Sequence, residues 1–110
     1  MKTLDLGKHI TAGVGILAGR ERGYRARAAE GLDALDRKPA VEIRVVVPDA
    51  VYSINSSFFL GLFEKSIVTL GEDEFRRRYR FDGEVAQLAC DEGLRITRLF
   101  RRPLIDPREK

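Results

Sequence analysis

Apolar residues recur along this chain with two distinct periods, and the switches between them mark out its elements. Val41-Glu-Ile-Arg-Val-Val-Val47 is apolar and β-branched at five of seven positions, with charges only at Glu42 and Arg44. That pattern predicts a strand that begins half-covered and ends buried on both faces, as a central strand covered by helices would be. From Ser57 to Leu70 the period changes. Phe58, Phe59, Leu62, Phe63, Ile67 and Leu70 fall three and four residues apart, which predicts a helix entered at Asn55 to Ser57 and stopped by Gly71.

The remaining elements follow from weaker signals. Thr3-Leu-Asp-Leu6 reads as a short strand, and Gly13, Gly15 and Gly19 loosen TAGVGILAG into a strand, a turn and a helix entry. Arg20 to Leu35 is predicted as one amphipathic helix carrying Tyr24, Ala28, Leu32 and Leu35 on its apolar face, and Asp36-Arg-Lys-Pro39 ends it. Gly71 to Arg78 reads as a further turn or two of helix, with acids first and bases last. Tyr79-Arg-Phe81 is a candidate strand. A last helix, carrying Val85, Leu88, Ala89, Ile96 and Leu99, starts at Asp82 or Gly83 and runs to about Arg101, before Pro103; LRITRLF forming a strand after Gly93 is the alternative. The order is roughly β, α, β, α, β, α, which predicts a single small α/β domain.

Composition narrows the function classes. The 110 residues are 44% hydrophobic and 34% charged, enough for one core without a linker. Twenty basic and seventeen acidic residues leave a net charge of only +3, so a pI near 9.3 reflects a slight excess of arginine and gives little field to hold a polyanion. One cysteine, Cys90, excludes an internal disulfide, and one histidine, His9, argues against a protein-built zinc site. No apolar run approaches the roughly 20 residues of a membrane span, and charges interrupt the start MKTLDLGKHITAG, so a cytoplasmic protein is expected. His9, Asp5 and Cys90 are scattered without a supporting motif, and GVGILAG forms neither GxGxxG nor GxxxxGK[ST]. Neither catalysis nor a bound cofactor is expected.

The apolar strand ending in VVV, the loop YSINSS, the helix FFLGLFEKSIVTLGEDEF and the following YRF resemble the STAS domain of bacterial anti-sigma factor antagonists. They are closer still to the STAS-like domains of unknown function. Ile54, Ser56, Ser57, Phe58, Leu62, Phe63, Leu70, Gly71, Glu72 and Phe75 carry the resemblance. It covers residues 41 to 82 and implies a mixed sheet with helices packed on it. It also implies a protein partner, a kinase-like ATPase or another regulator. In the antagonists the equivalent loop reads Asp-Ser-Ser/Thr-Gly, with the first serine phosphorylated; here Asn55 takes the aspartate position, Ser56 the phosphoserine position, and Phe58 stands in place of the glycine. Leu60-Gly61 stands where the STAS-like group often carries an acidic pair.

The candidate residues follow. Asn55, Ser56 or Ser57 caps the helix, and Ser56 is the candidate phosphorylation site, because a helix N-terminus favours negative charge. Ser53, Asn55, Ser56 and Ser57 form the expected partner-binding loop. Phe58, Phe59 and Leu60 cannot all face one way on a helix, so Phe59 or Leu60 is expected to reach a partner or a second copy. Arg76 to Arg80 and Arg95 to Arg102 make a nucleic-acid module the alternative, with Arg77, Arg78 and Arg80 as its contacts and Tyr79 to stack on bases. The competing expectation is a solvated face paired to Glu72, Asp73, Glu74, Asp91 and Glu92.

Overall fold

The structure is a computed structural model that describes residues 2–10 and 15–105, the last six of these by backbone only. It is an α/β domain. Three strands, β1 (Lys2–Asp5), β3 (Ile43–Val46) and β5 (Tyr79–Phe81), form one sheet with β3 in the middle; β2 (Ile16–Leu17) and β4 (Ser53–Ile54) form a second. Every pairing among the described residues is parallel, so the α/β class holds while the sheet is not the mixed one expected. A short 3-10 turn, Leu6–His9, follows β1. Among the described residues five helices complete the domain: α1 (Arg20–Glu30), α2 (Leu32–Arg37), α3 (Ser56–Leu70), α4 (Glu72–Arg78) and α5 (Glu84–Ile105). Among the described residues no helix is long and apolar enough to cross a membrane.

The centre of the domain is α3. Phe58, Phe59, Leu60, Gly61, Leu62, Phe63, Ser66 and Ile67 are all buried, so its first half is enclosed on every side. Phe63 lies at the middle of an aromatic cluster, with ring centroids 5.0 Å from Phe59, 5.7 Å from Phe75 and 5.4 Å from both Tyr79 and Phe81. Tilted and edge-on ring pairs of this kind add to the area they bury. Gly71, at φ +85°, stops α3 and opens α4 at one stroke.

The helix expected over residues 20–35 is broken. Gly31 adopts φ +67° and its N–H turns back to the carbonyls of Ala28 and Arg27, ending α1 before α2 begins. Its buried face is also different: Gly23, Ala26 and Arg27 point inward, while Tyr24 and Ala28 are exposed. The reason is the closeness of α1 to α3. A methyl group on Gly23 would lie 2.4 Å from the Phe58 carbonyl oxygen, and one on Gly61 would lie 2.1 Å from that of Arg20. Only small residues allow two backbones to touch in this way.

Two other expectations change. The three-stranded sheet is covered on the face of Leu4, Ile43, Val45 and Tyr79, but its other face leaves Thr3, Arg44 and Arg80 exposed. The central strand is thus half-covered at its start, as expected, while Val46 and Val47 at its end are half-buried rather than enclosed on both faces. The two arginines, directly opposite each other in register, are each offset by an acid, Asp82 for Arg44 and Glu42 at 4.0 Å for Arg80. The last segment is helix throughout, through Pro103 to Ile105, and Gly93 does not break it. Instead Gly93 makes room for Phe59, whose ring would lie 2.2 Å from an added methyl. Gly13 lies outside the described residues.

Candidate functional site

The loop leading into α3 is held at both ends. Strand β4 pairs with β2, Ser53 opposite Ile16 and Ile54 opposite Leu17. The Asn55 N–H then donates 2.7 Å to the Leu17 carbonyl. Asn55 is the cap: its extended backbone precedes the first turn, and its Oδ1 accepts from the Ser57 N–H at 2.9 Å and from the Ser57 hydroxyl at 2.7 Å. The Ser57 Oγ in turn accepts from the Gly19 N–H at 3.2 Å, tying the start of α3 to the start of α1. Asn55 and Ser57 are thus spent on structure.

Ser53 and Ser56 are not. Both are half-buried, and among the described residues neither hydroxyl makes a hydrogen bond. Ser56 is the first helical residue of α3, whose first turn contains no acid. A negative charge there would meet the unpaired N–H groups and positive end of a helix without a neighbouring carboxylate in that turn.

Ser53, but not Ser56, lines a groove of about 170 Å³ between β4 and α5, together with Tyr52, Ile54, Val85, Leu88, Ala89 and Glu92. Tyr52 is 67% exposed and Leu88 61%. Phe59 and Leu60, the expected surface residues, are 1% and 6% exposed. The correction has a plain cause: helices and sheet surround the first half of α3, so its three apolar directions all meet the core. The exposed apolar surface comes instead from the strand before α3 and the helix packed over it. Sequence pattern missed it because the helical spacing of Val85, Leu88, Ala89, Ile96 and Leu99 does not say which of them lie on the core stripe of α5. That stripe is in fact Ala86, Cys90, Leu94 and Thr97.

The arginines do not form one basic surface. Arg78 is buried, donating to the carbonyls of Leu35 at 2.8 Å, Lys38 at 2.7 Å, Val41 at 3.0 Å and Asp36 at 3.4 Å. It closes the end of α2, where the Leu35 carbonyl also accepts from the Lys38 N–H at 3.2 Å, and is not a nucleic-acid contact, because its buried donors are already used by these carbonyls. Arg77 is exposed on α4 and pairs with Glu74 at 2.6 Å, while Arg80 lies on the open sheet face. Arg76 reaches Glu72 and Asp91, each at 3.5 Å. Arg98 grips Glu72 with two bonds of 2.9 and 3.1 Å, and this holds the Glu72 carboxyl below its usual range. Arg95 pairs with Glu92 at 2.6 Å. The side chains of Arg101 and Arg102 lie outside the described residues. Of the acids expected to pair these arginines, Glu72, Glu74, Asp91 and Glu92 do so.

The residues with reactive side chains are engaged elsewhere. Asp5 caps the 3-10 turn by accepting from the Gly7 N–H at 2.9 Å, and His9 Nε2 lies 2.9 Å from Glu30 Oε2. Burial pushes the Cys90 thiol up to about 11, well away from the thiolate form at neutral pH. Among the described residues no group of His, Cys, Asp or Glu could hold a metal ion. No family model matches this chain, and neither a curated protein nor a solved structure matches it.

Proposed function

We propose that this chain is a cytoplasmic, non-catalytic regulatory domain of the STAS-like kind, akin to the anti-sigma factor antagonists. It binds another protein, a kinase-like ATPase or a related regulator, through the entry to α3 and the groove beside it. The observation that carries this reading is the placement of Ser53, whose hydroxyl has no hydrogen-bond partner among the described residues, in a groove whose exposed apolar rim is Tyr52 and Leu88, three residues before Ser56 at the start of α3. Large apolar side chains at a surface, flanked by polar groups able to bond, are what a protein partner recognises.

Phosphorylation of Ser56 is the switch in this reading. A phosphate there is favoured by the α3 dipole, leaves the Asn55 and Ser57 cap intact, and adds charge and bulk beside the groove, which ejects the partner.

The test is affinity capture from cells of origin with the purified chain as bait, followed by identification of the retained protein and of phosphate on Ser53 or Ser56. A specific regulator should be kept by the wild type and by Ser56→Ala, and lost with Ser56→Asp and with Tyr52→Ala. Equal retention by all four proteins rules out the groove as the docking site. Retention by Tyr52→Ala and Ser56→Asp alike, with phosphate nowhere on the loop, leaves no role for the serine switch.

A further inference from the structure

Helix α5 carries an exposed stripe that shares Leu88 and Glu92 with the groove and continues beyond it to Arg95 and Leu99. Its inner stripe, Ala86, Cys90, Leu94 and Thr97, is buried, yet Leu88 and Leu99 on the opposite side are 61% and 50% exposed. Between them on the same side stand Glu92 and Arg95, both exposed and joined by two bonds of 3.2 and 2.6 Å. At 3.6 residues per turn these four side chains fall within about 60° of arc, and the two leucines lie roughly 16 Å apart along the axis. They form one straight stripe reading Leu, Glu, Arg, Leu.

The stripe is a palindrome in chemistry. Leu88 and Leu99 are equally distant from the midpoint between Gly93 and Leu94, and so are Glu92 and Arg95. When two such helices lie antiparallel about a two-fold axis through that midpoint, Leu88 of each meets Leu99 of the other and Glu92 of each meets Arg95 of the other. A parallel arrangement in the same register would bring like charges together. A stripe whose apolar and charged positions match only their own reversal is what a self-complementary two-fold interface requires.

We propose that the outer face of α5 is a homodimer surface, and that a second copy of this chain docks on it antiparallel through Leu88, Glu92, Arg95 and Leu99. The surface differs from the one expected around Phe59 and Leu60, which are buried; because Leu88 and Glu92 also line the groove, a second copy and the proposed regulatory partner exclude each other there, while self-association of the purified chain is tested without that partner. A single helix pair buries less than the roughly 1,200 Å² of a stable complex, so the dimer is a reversible one.

Sedimentation equilibrium of the purified chain over a wide concentration range tests this. The wild type should pass from monomer to dimer. Leu99→Glu should weaken the dimer at least about tenfold by placing a carboxylate against a leucine. Glu92→Arg and Arg95→Glu should each weaken it by roughly tenfold, because each replaces two attractive pairs with two repulsive ones. An equimolar mixture of those two variants should dimerise again, one supplying both arginines and the other both glutamates. All three positions are exposed, and circular dichroism checks that each variant is folded. A wild type that stays monomeric throughout, a dimer indifferent to the three substitutions, or a mixture that fails to recover would each overturn the proposal.

Discussion

The Tyr79 hydroxyl donates a 2.6 Å hydrogen bond to one carboxylate oxygen of Asp36, and the other oxygen accepts from Arg27 Nη2 at 2.9 Å and from the Ser66 hydroxyl. Arg27 also donates to the Leu62 carbonyl at 2.9 Å, to Ser66 Oγ at 2.8 Å and to Asp33 at 2.8 Å. Four elements, the consecutive helices α1 and α2 with the more distant α3 and β5, are tied by one buried polar knot. Removing the hydroxyl in Tyr79→Phe leaves Asp36 its other two partners and should cost about 1–2 kcal/mol. Asp36→Ala leaves the buried Arg27 with only the exposed Asp33 as a counter-charge and should cost about 3–5 kcal/mol. Urea unfolding of the three proteins orders them; a smaller loss for Asp36→Ala than for Tyr79→Phe would contradict the ranking.

The same knot predicts an alkaline limit. Burial, and after it the bond to Asp36, raises the Tyr79 phenol above its ordinary value. The folded state therefore favours the neutral phenol. That contribution is complete below about pH 10, the ordinary phenol value, and is lost as the pH climbs beyond it. Unfolding free energy should fall above about pH 10, and the fall should be shallower in Tyr79→Phe. A constant gap between the two proteins from neutral pH to pH 11 would count against it.

Glycine-to-alanine substitutions should separate three environments that look alike in sequence. Alanine normally improves a helix by roughly 0.5–1 kcal/mol. In α1 and α3 the opposite is expected. Gly23→Ala and Gly61→Ala force methyl groups to 2.4 and 2.1 Å from carbonyl oxygens of the facing helix, so each should cost about 2–4 kcal/mol through overpacking. Gly31 has open space around it and suffers only from its φ of +67°, so Gly31→Ala should cost about 1 kcal/mol. Thermal unfolding of the three variants checks the order.

Two adjacent arginines should behave unlike each other. Arg77→Ala removes an exposed pair with Glu74 and should change stability by less than about 0.5 kcal/mol. Arg78→Ala removes the guanidinium that bonds four carbonyls around the end of α2, of which, among the described residues, only that of Leu35 keeps a backbone donor, Lys38, and should cost about 2–3 kcal/mol. Similar losses in the two variants, measured by denaturant titration, would show that Arg78 is not the clasp described.

Much of the chain was legible without coordinates. The β-branched run around Val45, the helix from Ser56 to Leu70 with its Asn55 cap and Gly71 stop, the acid-to-base turn of α4 and the strand Tyr79–Phe81 all follow from signals a few residues long. The loop later chosen as the candidate site was legible for the same reason, since small polar residues before an apolar helical run are a local signature. In α1, where periodicity alone oriented the helix, the phase came out wrong: Tyr24 and Ala28 are exposed, while Gly23, Ala26 and Arg27 are buried. In α5 the spacing marked the helix and included Ala89 and Ile96, which pack against the core, but also Leu88 and Leu99, which are exposed.

Sequence by itself determined the class of the domain and the position of its central helix, because capping, β-branching and apolar spacing act between residues close along the chain. Tertiary structure decided which faces are surface. The α1–α3 backbone contact turns α1 so that its small residues Gly23 and Ala26 point inward and Tyr24, its largest apolar side chain, points out. The buried knot gives Arg27 and Asp36 a place in the core that their charge would deny them singly, and enclosure on every side removes Phe59 and Leu60 from the surface. Each outcome depends on neighbours 30 or more residues away. Burial is a property of what packs against a residue, and short-range pattern carries no record of that.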